Sequence, residues 1–333
     1  MPLLAFLLSA WAVIGNDSLQ TLGPFLAANR HRTSRWLQLL FLCALLCGVL
    51  WLGWWRSGGD TSWGRLQQFP LPPRLGWRIL LAPLAVLLLT RCGAPVSTSF
   101  LVLTSFRPAA LPALLRQSLL GYGLALLVAA IAYGTATLLG RQRQGNPPAL
   151  AARPATACDP AAAACAPSAT EPQPLGGVAL ALQWAATGWL WSQWLIQDLA
   201  NIYVVLPRHL PASGMALSLV VLCGAVALLL LENGGAIQTI LQRKNGLQQG
   251  RATTTLSLLY GLVLAVLAAW SPVPLSTTWV FLGLLAGREL ALQLGPEARA
   301  AAAVARELLR DLALAGLGLA VSLAVALGLQ PTG

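Results

Sequence analysis

Three apolar runs, residues 36–55, 210–231 and 309–329, constrain this chain more than any other feature. Each is about 20 residues, and at ~1.5 Å per helical residue each matches the ~30 Å hydrocarbon layer of a bilayer. A helix satisfies its own backbone donors and acceptors, which is the condition for crossing lipid, so the chain reads as an all-α integral membrane protein. Composition agrees: 57% hydrophobic and 9% charged residues over 333 positions leave too little polar surface for a soluble domain of this size.

The net charge of +11 comes from Arg and Lys scattered singly between the apolar runs. It reads as charge flanking membrane spans and not as a nucleic-acid stripe, so no nucleic-acid partner is expected. Of six cysteines, Cys43, Cys47, Cys92 and Cys223 lie in apolar segments and read as small fillers, while Cys158 and Cys165 lie in an Ala/Pro stretch. The opening "MPLLAFLLSAWAVIG" is apolar like a signal segment but lacks a basic start, so it reads as retained.

The chain is written twice. "GNDSLQTLGP" begins at Gly15 and "APVSTSF" at Ala94; "QDLANIYVVLP" begins at Gln197 and "VPLSTTW" at Val273. Asp17 precedes Ser97 by 80 positions and Asp198 precedes Ser276 by 78. Repetition of motif, order and spacing divides the chain into a first transmembrane repeat (1–140), an Ala/Pro-rich linker (141–174) and a second transmembrane repeat (175–333).

Within each half the expected order is a helix carrying the Asp motif, a full span, a pair of short segments around the Ser/Thr motif, and a third full span. Segments 79–90 and 96–105 are too short to cross alone and form an expected re-entrant helical hairpin, with "CGAP" and "SPVP" as helix-breaking tips. Three crossings per half is an odd number, which turns the second repeat upside down. The fold expected is therefore two inverted-topology repeats, a design recurrent among secondary transporters. The balance of Arg and Lys puts Arg30, Arg32, Arg35, Arg141, Arg143, Arg153, Arg243, Lys244, Arg251, Arg299, Arg306 and Arg310 inside and Arg56, Arg65, Arg74, Arg78, Arg107, Arg116 and Arg208 outside. A multi-pass plasma-membrane protein with both termini extracytoplasmic is the expectation.

The polar residues within the apolar segments carry the chemistry. The second arm of each hairpin starts at the tip, so its free amides and positive dipole end point into the membrane. Ser97, Thr98 and Ser99 from one half, and Ser276, Thr277 and Thr278 from the other, then form a cradle for an oxyanion; the competing reading is that each merely caps its own helix. An ionised carboxylate at membrane depth costs at least ~2.5–3.5 kcal/mol, so Asp17 and Asp198 need partners or a task. With the amides of Asn16, Gln20, Gln197 and Asn201 they form a candidate cation site, for sodium or for a coupling proton; the competing reading places each Asp at a helix end near water. Arg91 stands shortly before the first tip, where the second half has Trp270, and is a candidate anion contact or a complement to its own helix dipole. Arg288 and Glu289 read as interfacial anchors and His31 and His209 as flank residues. No catalytic group is assigned: neither an intramembrane Ser-His pair nor a Gly-rich phosphate loop is present in the sequence, so no enzyme is expected.

These motifs, "GND" with Gln20, "QDLAN", "PVSTS" and "PLSTT", resemble the duplicated signature of the inorganic phosphate transporter (PiT) family, with its GANDxAN-like and PVSTTH-like motifs. The resemblance covers both halves and leaves out the linker. It implies a symporter moving phosphate, or in some bacterial relatives sulfate, with sodium or protons. By motif position Asn16, Asp17, Asp198 and Asn201 would be cation or substrate ligands, and the hydroxyl triplets would hold the anion. The chain departs from the signature at Phe100 and Trp279, where the family carries His, and at Gln20 and Gln197, where it carries Asn. These losses favour an alternative, a non-transporting membrane sensor or scaffold on a carrier-derived fold. The expected partners are an inorganic oxyanion and the lipid bilayer, with a homodimer left open.

Overall fold

The computed structural model describes residues 1–30, 32–71, 76–91, 96–144, 176–231, 250–295 and 301–328. Most of the linker, the first hairpin tip at 92–95, Cys92, Cys158 and Cys165 lie outside the described residues. Among the described residues all regular structure is helical: α1 (Pro2–Asn29), α2 (Arg35–Arg56), α3 (Leu81–Arg91), α4 (Thr98–Phe106), α5 (Leu111–Gln144), α6 (Gly177–Tyr203), α7 (Ala212–Leu231), α8 (Gly250–Trp270), α9 (Thr277–Leu292) and α10 (Ala301–Gly328). The two halves repeat one order, a long helix with the Asp motif, a second long helix, a helix before the Ser/Thr motif, a helix starting in it, and a last long helix.

Helices α2, α5, α7, α8 and α10 contain stretches long and apolar enough to cross a membrane. Helix α1 bends by 62° between its parts Pro2–Asp17 and Gln20–Asn29, and counts as a sixth span only if the bent pair is one crossing. The outer faces are greasy: Trp36 and Trp55 at opposite ends of α2, Val220 on α7 and Trp270 on α8 are exposed. Such a surface is stable against lipid, and Trp at both ends of a span suits the two interfaces.

One sequence expectation is corrected. Around the first motif the helices are short, 11 residues in α3 and 9 in α4, or ~16 Å and ~14 Å. Around the second motif α8 runs for 21 residues, ~31 Å, and α9 for 16. The run from Gly250 to Trp270 holds no proline, so nothing stops the helix until Pro272. The short pair is therefore a property of the first half alone.

The closest helix packing joins α5 to α9. A Cβ on Gly283 would collide with the Tyr122 carbonyl and approach the Ala125 Cβ to 3.1 Å, and one on Gly287 would collide with the Leu126 carbonyl and approach the Ala129 Cβ to 2.9 Å. This glycine pair, spaced four apart against Ala125 and Ala129, lets two backbones touch as in other membrane helix pairs. The approach also covers Arg288, expected at an interface: it is buried, pairs with Glu289 at 2.7 Å, and its guanidinium lies 5.9 Å from the Tyr133 ring centre. Between α2 and α7 the thiols of Cys47 and Cys223 stand 3.7 Å apart.

Gly283→Ala and Gly287→Ala should each destabilise the protein by ~1–3 kcal/mol through forced separation of α5 and α9. Gly316→Ala, where a Cβ meets nothing within 4 Å, should not destabilise it. Unfolding in mixed micelles checks the ranking, and equal effects at the three positions would contradict this packing.

Candidate functional site

The bend of α1 falls on the first Asp motif. Asn16, just before it, donates from Nδ2 to Asp17 Oδ1 at 2.6 Å and to the Val96 carbonyl at 2.9 Å, and its Oδ1 accepts from the Thr90 hydroxyl at 2.8 Å. One amide thus ties α1 to the end of α3 and to the start of the first Ser/Thr motif. The second Asp motif sits on α6, where Gln197, Asp198 and Asn201 are fully buried.

The Ser/Thr motifs begin α4 and α9 in the same way. Ser97 caps α4 at φ −82°, ψ 107°, its hydroxyl accepting from the Phe100 amide at 3.3 Å. Ser276 caps α9 at φ −82°, ψ 106°, accepting from the Trp279 amide at 3.3 Å. The caps take up one first-turn amide in each helix, and the Trp279 amide also donates to the Ser276 carbonyl at 3.1 Å; the amides before Phe100 and Trp279 have no acceptor within an α-helix. Phe100 and Trp279 meet edge to face with ring centres 5.8 Å apart, so the two helix starts lie side by side.

The third hydroxyl of each motif crosses to the other half. Ser99 donates to the Leu275 carbonyl at 2.9 Å, and Thr278 donates to the Val96 carbonyl at 3.2 Å. Each acceptor is the residue just before the opposite capping Ser. The same hydroxyls accept from the Asp motifs: Asn201 Nδ2 reaches Ser99 at 3.0 Å and Gln20 Nε2 reaches Thr278 at 3.3 Å. Asn201 and Gln20 each stand three residues after their Asp, so the longer Gln20 occupies the role of Asn201 in the other half.

The carboxylates complete the cluster. Asp17 Oδ2 accepts from the Thr98 hydroxyl at 2.6 Å, and Thr98 also accepts from Asn201 at 3.2 Å. Asp198 Oδ1 accepts from Asn201 at 2.9 Å, the Thr277 hydroxyl lies beside the same carboxylate, and the charges of Asp17 and Asp198 are close enough to repel. Acceptors outnumber donors: Gln20 Oε1, Gln197 Oε1, Asp198 Oδ2 and Asn201 Oδ1 are all buried without a hydrogen-bond partner. Idle amide oxygens on Gln20 and Asn201, beside two carboxylates of which Asp198 keeps its own Oδ2 unpartnered, suit a small hard cation or a proton, whereas an oxyanion needs the donors at the helix starts.

Of the residues singled out from sequence, Asn16, Asp17, Gln20, Thr98, Ser99, Thr277, Thr278, Asp198 and Asn201 come together here. Ser97 and Ser276 border the cluster as caps. Gln197 turns away, donating to the Leu264 carbonyl of α8 at 3.0 Å. Arg91 is exposed at the end of α3. Sequence reading missed Thr90 and two supports of the second motif: Ser118 on α5, whose hydroxyl accepts from the Ser276 amide at 2.8 Å, and Tyr260 on α8, whose hydroxyl donates to the Thr277 carbonyl at 2.8 Å. Their only signal is a hydroxyl in a mostly apolar helix.

Ser97→Ala should cost ~1 kcal/mol as the loss of a cap, and Ser276→Ala the same. Thr98→Val should cost more, ~1–3 kcal/mol, because it strips a donor from a buried carboxylate oxygen. Thermal unfolding of the three variants gives the order, and a larger cost at Ser97 than at Thr98 would contradict the described bonding. No family model, curated protein or solved structure matches this chain.

Proposed function

We propose that the chain is a secondary active transporter of an inorganic oxyanion, phosphate first and sulfate next, coupled to sodium or protons. The observation that carries the reading is the single buried cluster in which the Asp motifs and the Ser/Thr motifs of both halves interlock. Cation and anion sites in contact are what symport requires, since each bound charge lowers the cost of holding the other in low dielectric. In this reading a cation takes the unused oxygens of Asp198, Asn201 and Gln20 beside Asp17. The anion lies against the first-turn amides of α4 and α9 and the hydroxyls of the two triplets. The proposal includes two inverted repeats, a re-entrant α3–α4 hairpin, and a plasma-membrane location with both termini outside. Alternating access then means breaking and remaking the crossed bonds from Ser99 and Thr278.

The second reading, a sensor or scaffold that does not transport, is favoured by the Phe100–Trp279 pair, which packs two apolar rings edge to face at the helix starts. Reconstituted uptake separates the two. Labelled phosphate or sulfate should accumulate saturably in liposomes when a sodium or proton gradient is imposed. Asp17→Asn and Asp198→Asn should each weaken the dependence on that cation about tenfold or more, as expected for loss of a ligand charge. Absence of saturable uptake of either anion, in protein that is folded and inserted, supports the sensor reading.

A further inference from the structure

We infer that Arg65, on the connection between α2 and α3, is an anion-binding residue that supplies the fixed positive charge for an oxyanion held beside Asp198. The inference rests on the transporter reading and adds to it a residue outside both motifs. The connection folds inward: Asp60, Thr61, Ser62, Arg65, Leu66 and Phe69 are all buried, and Arg65 is 4% exposed. Left-handed backbone at Gly58 (φ 60°), Gly59 (φ 106°), Trp63 (φ 55°) and Gly64 (φ 78°) gives the segment its tight course.

The segment is held firmly from outside. The Leu210 amide donates to the Gly59 carbonyl at 3.0 Å, Arg107 Nη1 to the Gln68 carbonyl at 2.6 Å, and Arg208 Nε and Nη2 to the Phe69 carbonyl at 3.2 Å and 2.5 Å. Those two arginines are spent on backbone. Asp60, the nearest acid in sequence, is spent too: its Oδ1 accepts from the Ser62 amide at 2.7 Å and the Ser62 hydroxyl at 2.6 Å, and its Oδ2 from the Gly64 amide at 3.1 Å.

Arg65 differs from its neighbours. Its Nε and Nη1 are buried and have no hydrogen-bond partner. Asp198 acts on it electrostatically, yet no ion pair joins them, and Asp198 Oδ2 also lacks a partner. Burial pushes the guanidinium down to about 10 while the Asp198 charge opposes the shift, so Arg65 is a cation at neutral pH. A buried cation with idle donors is costly unless an anion fills its coordination, and a tetrahedral oxyanion offers several acceptors at once. With a coupling cation on Asp198, the anion would lie between that cation and Arg65, neutralised from both sides.

The test uses the purified full-length chain and measures the affinity for inorganic phosphate and for sulfate at fixed sodium and pH, together with the melting temperature. Arg65→Gln should weaken anion affinity about 10- to 100-fold, the loss of one charge-assisted hydrogen-bonding group. Arg65→Lys, which keeps the charge but not the fork, should recover part of it. Wild-type anion affinity in folded Arg65→Gln, or a lowered melting temperature with unchanged affinity, would reduce Arg65 to a structural partner of Asp198 and overturn the inference alone. If Arg65→Gln does not fold, Arg65→Lys decides: several-fold weaker binding supports the role and unchanged binding overturns it. Failure of the wild-type chain to bind either anion would overturn the transporter reading and this inference together.

Discussion

The crossed pair of hydrogen bonds between the Ser/Thr motifs is the constraint on which the rest depends. Ser99 reaches the carbonyl before Ser276, and Thr278 reaches the carbonyl before Ser97. Both carbonyls belong to non-helical backbone entering a helix, which lipid does not tolerate without internal partners. Each half therefore supplies a hydroxyl to the backbone carbonyl at which the other half's helix begins. The remaining polar contacts build outward from this pair, through Asn201 to Asp198, from Thr278 to Gln20, and through Asn16 to the end of α3.

Such a core is expensive in a membrane protein, and its charge balance points to what it holds. Two carboxylates, one with an idle oxygen, together with the idle amide oxygens of Gln20 and Asn201 create a demand for positive charge that the hydroxyls alone do not meet. In the proposed reading a cation meets that demand and in turn makes room for an anion at the helix starts. Arg65 lies in the buried connection between α2 and α3, and in the proposed reading it adds a fixed positive charge to those of the bound ions. The small-residue seam of α5 and α9 matters to the same end, because Ser118 on α5 receives the Ser276 amide only when the two helices are in close contact.

Much of the cluster was legible in the sequence because polar residues inside long apolar runs have no solvent to satisfy them. Asp17, Asp198 and the hydroxyl triplets stood out for that reason, and their matched spacing signalled a shared location. What could not be read was which donor meets which acceptor, since Gln20 and Asn201 differ in length yet serve equivalent positions. Proximity along the chain also misled: Arg91, close to the first motif in sequence, is exposed, whereas Arg65, in a connection expected to lie outside, is buried near Asp198. Burial of a loop depends on backbone geometry at residues such as Gly59 and Gly64 and on partners over a hundred positions away. The length of α8 departs from the repeat because the short helices around the first motif do not recur at the second, where no breaker interrupts residues 250–270.

The most direct test is the equilibrium affinity of the purified chain for inorganic phosphate, measured across a grid of sodium concentration and pH. Linked cation and anion sites predict that phosphate binding tightens as sodium rises, or shifts systematically with proton concentration, because a ligand that favours one site must favour the other by the same factor. Phosphate and sulfate binding that is undetectable throughout the grid, or indifferent to both cations, would contradict a shared site built from the two halves.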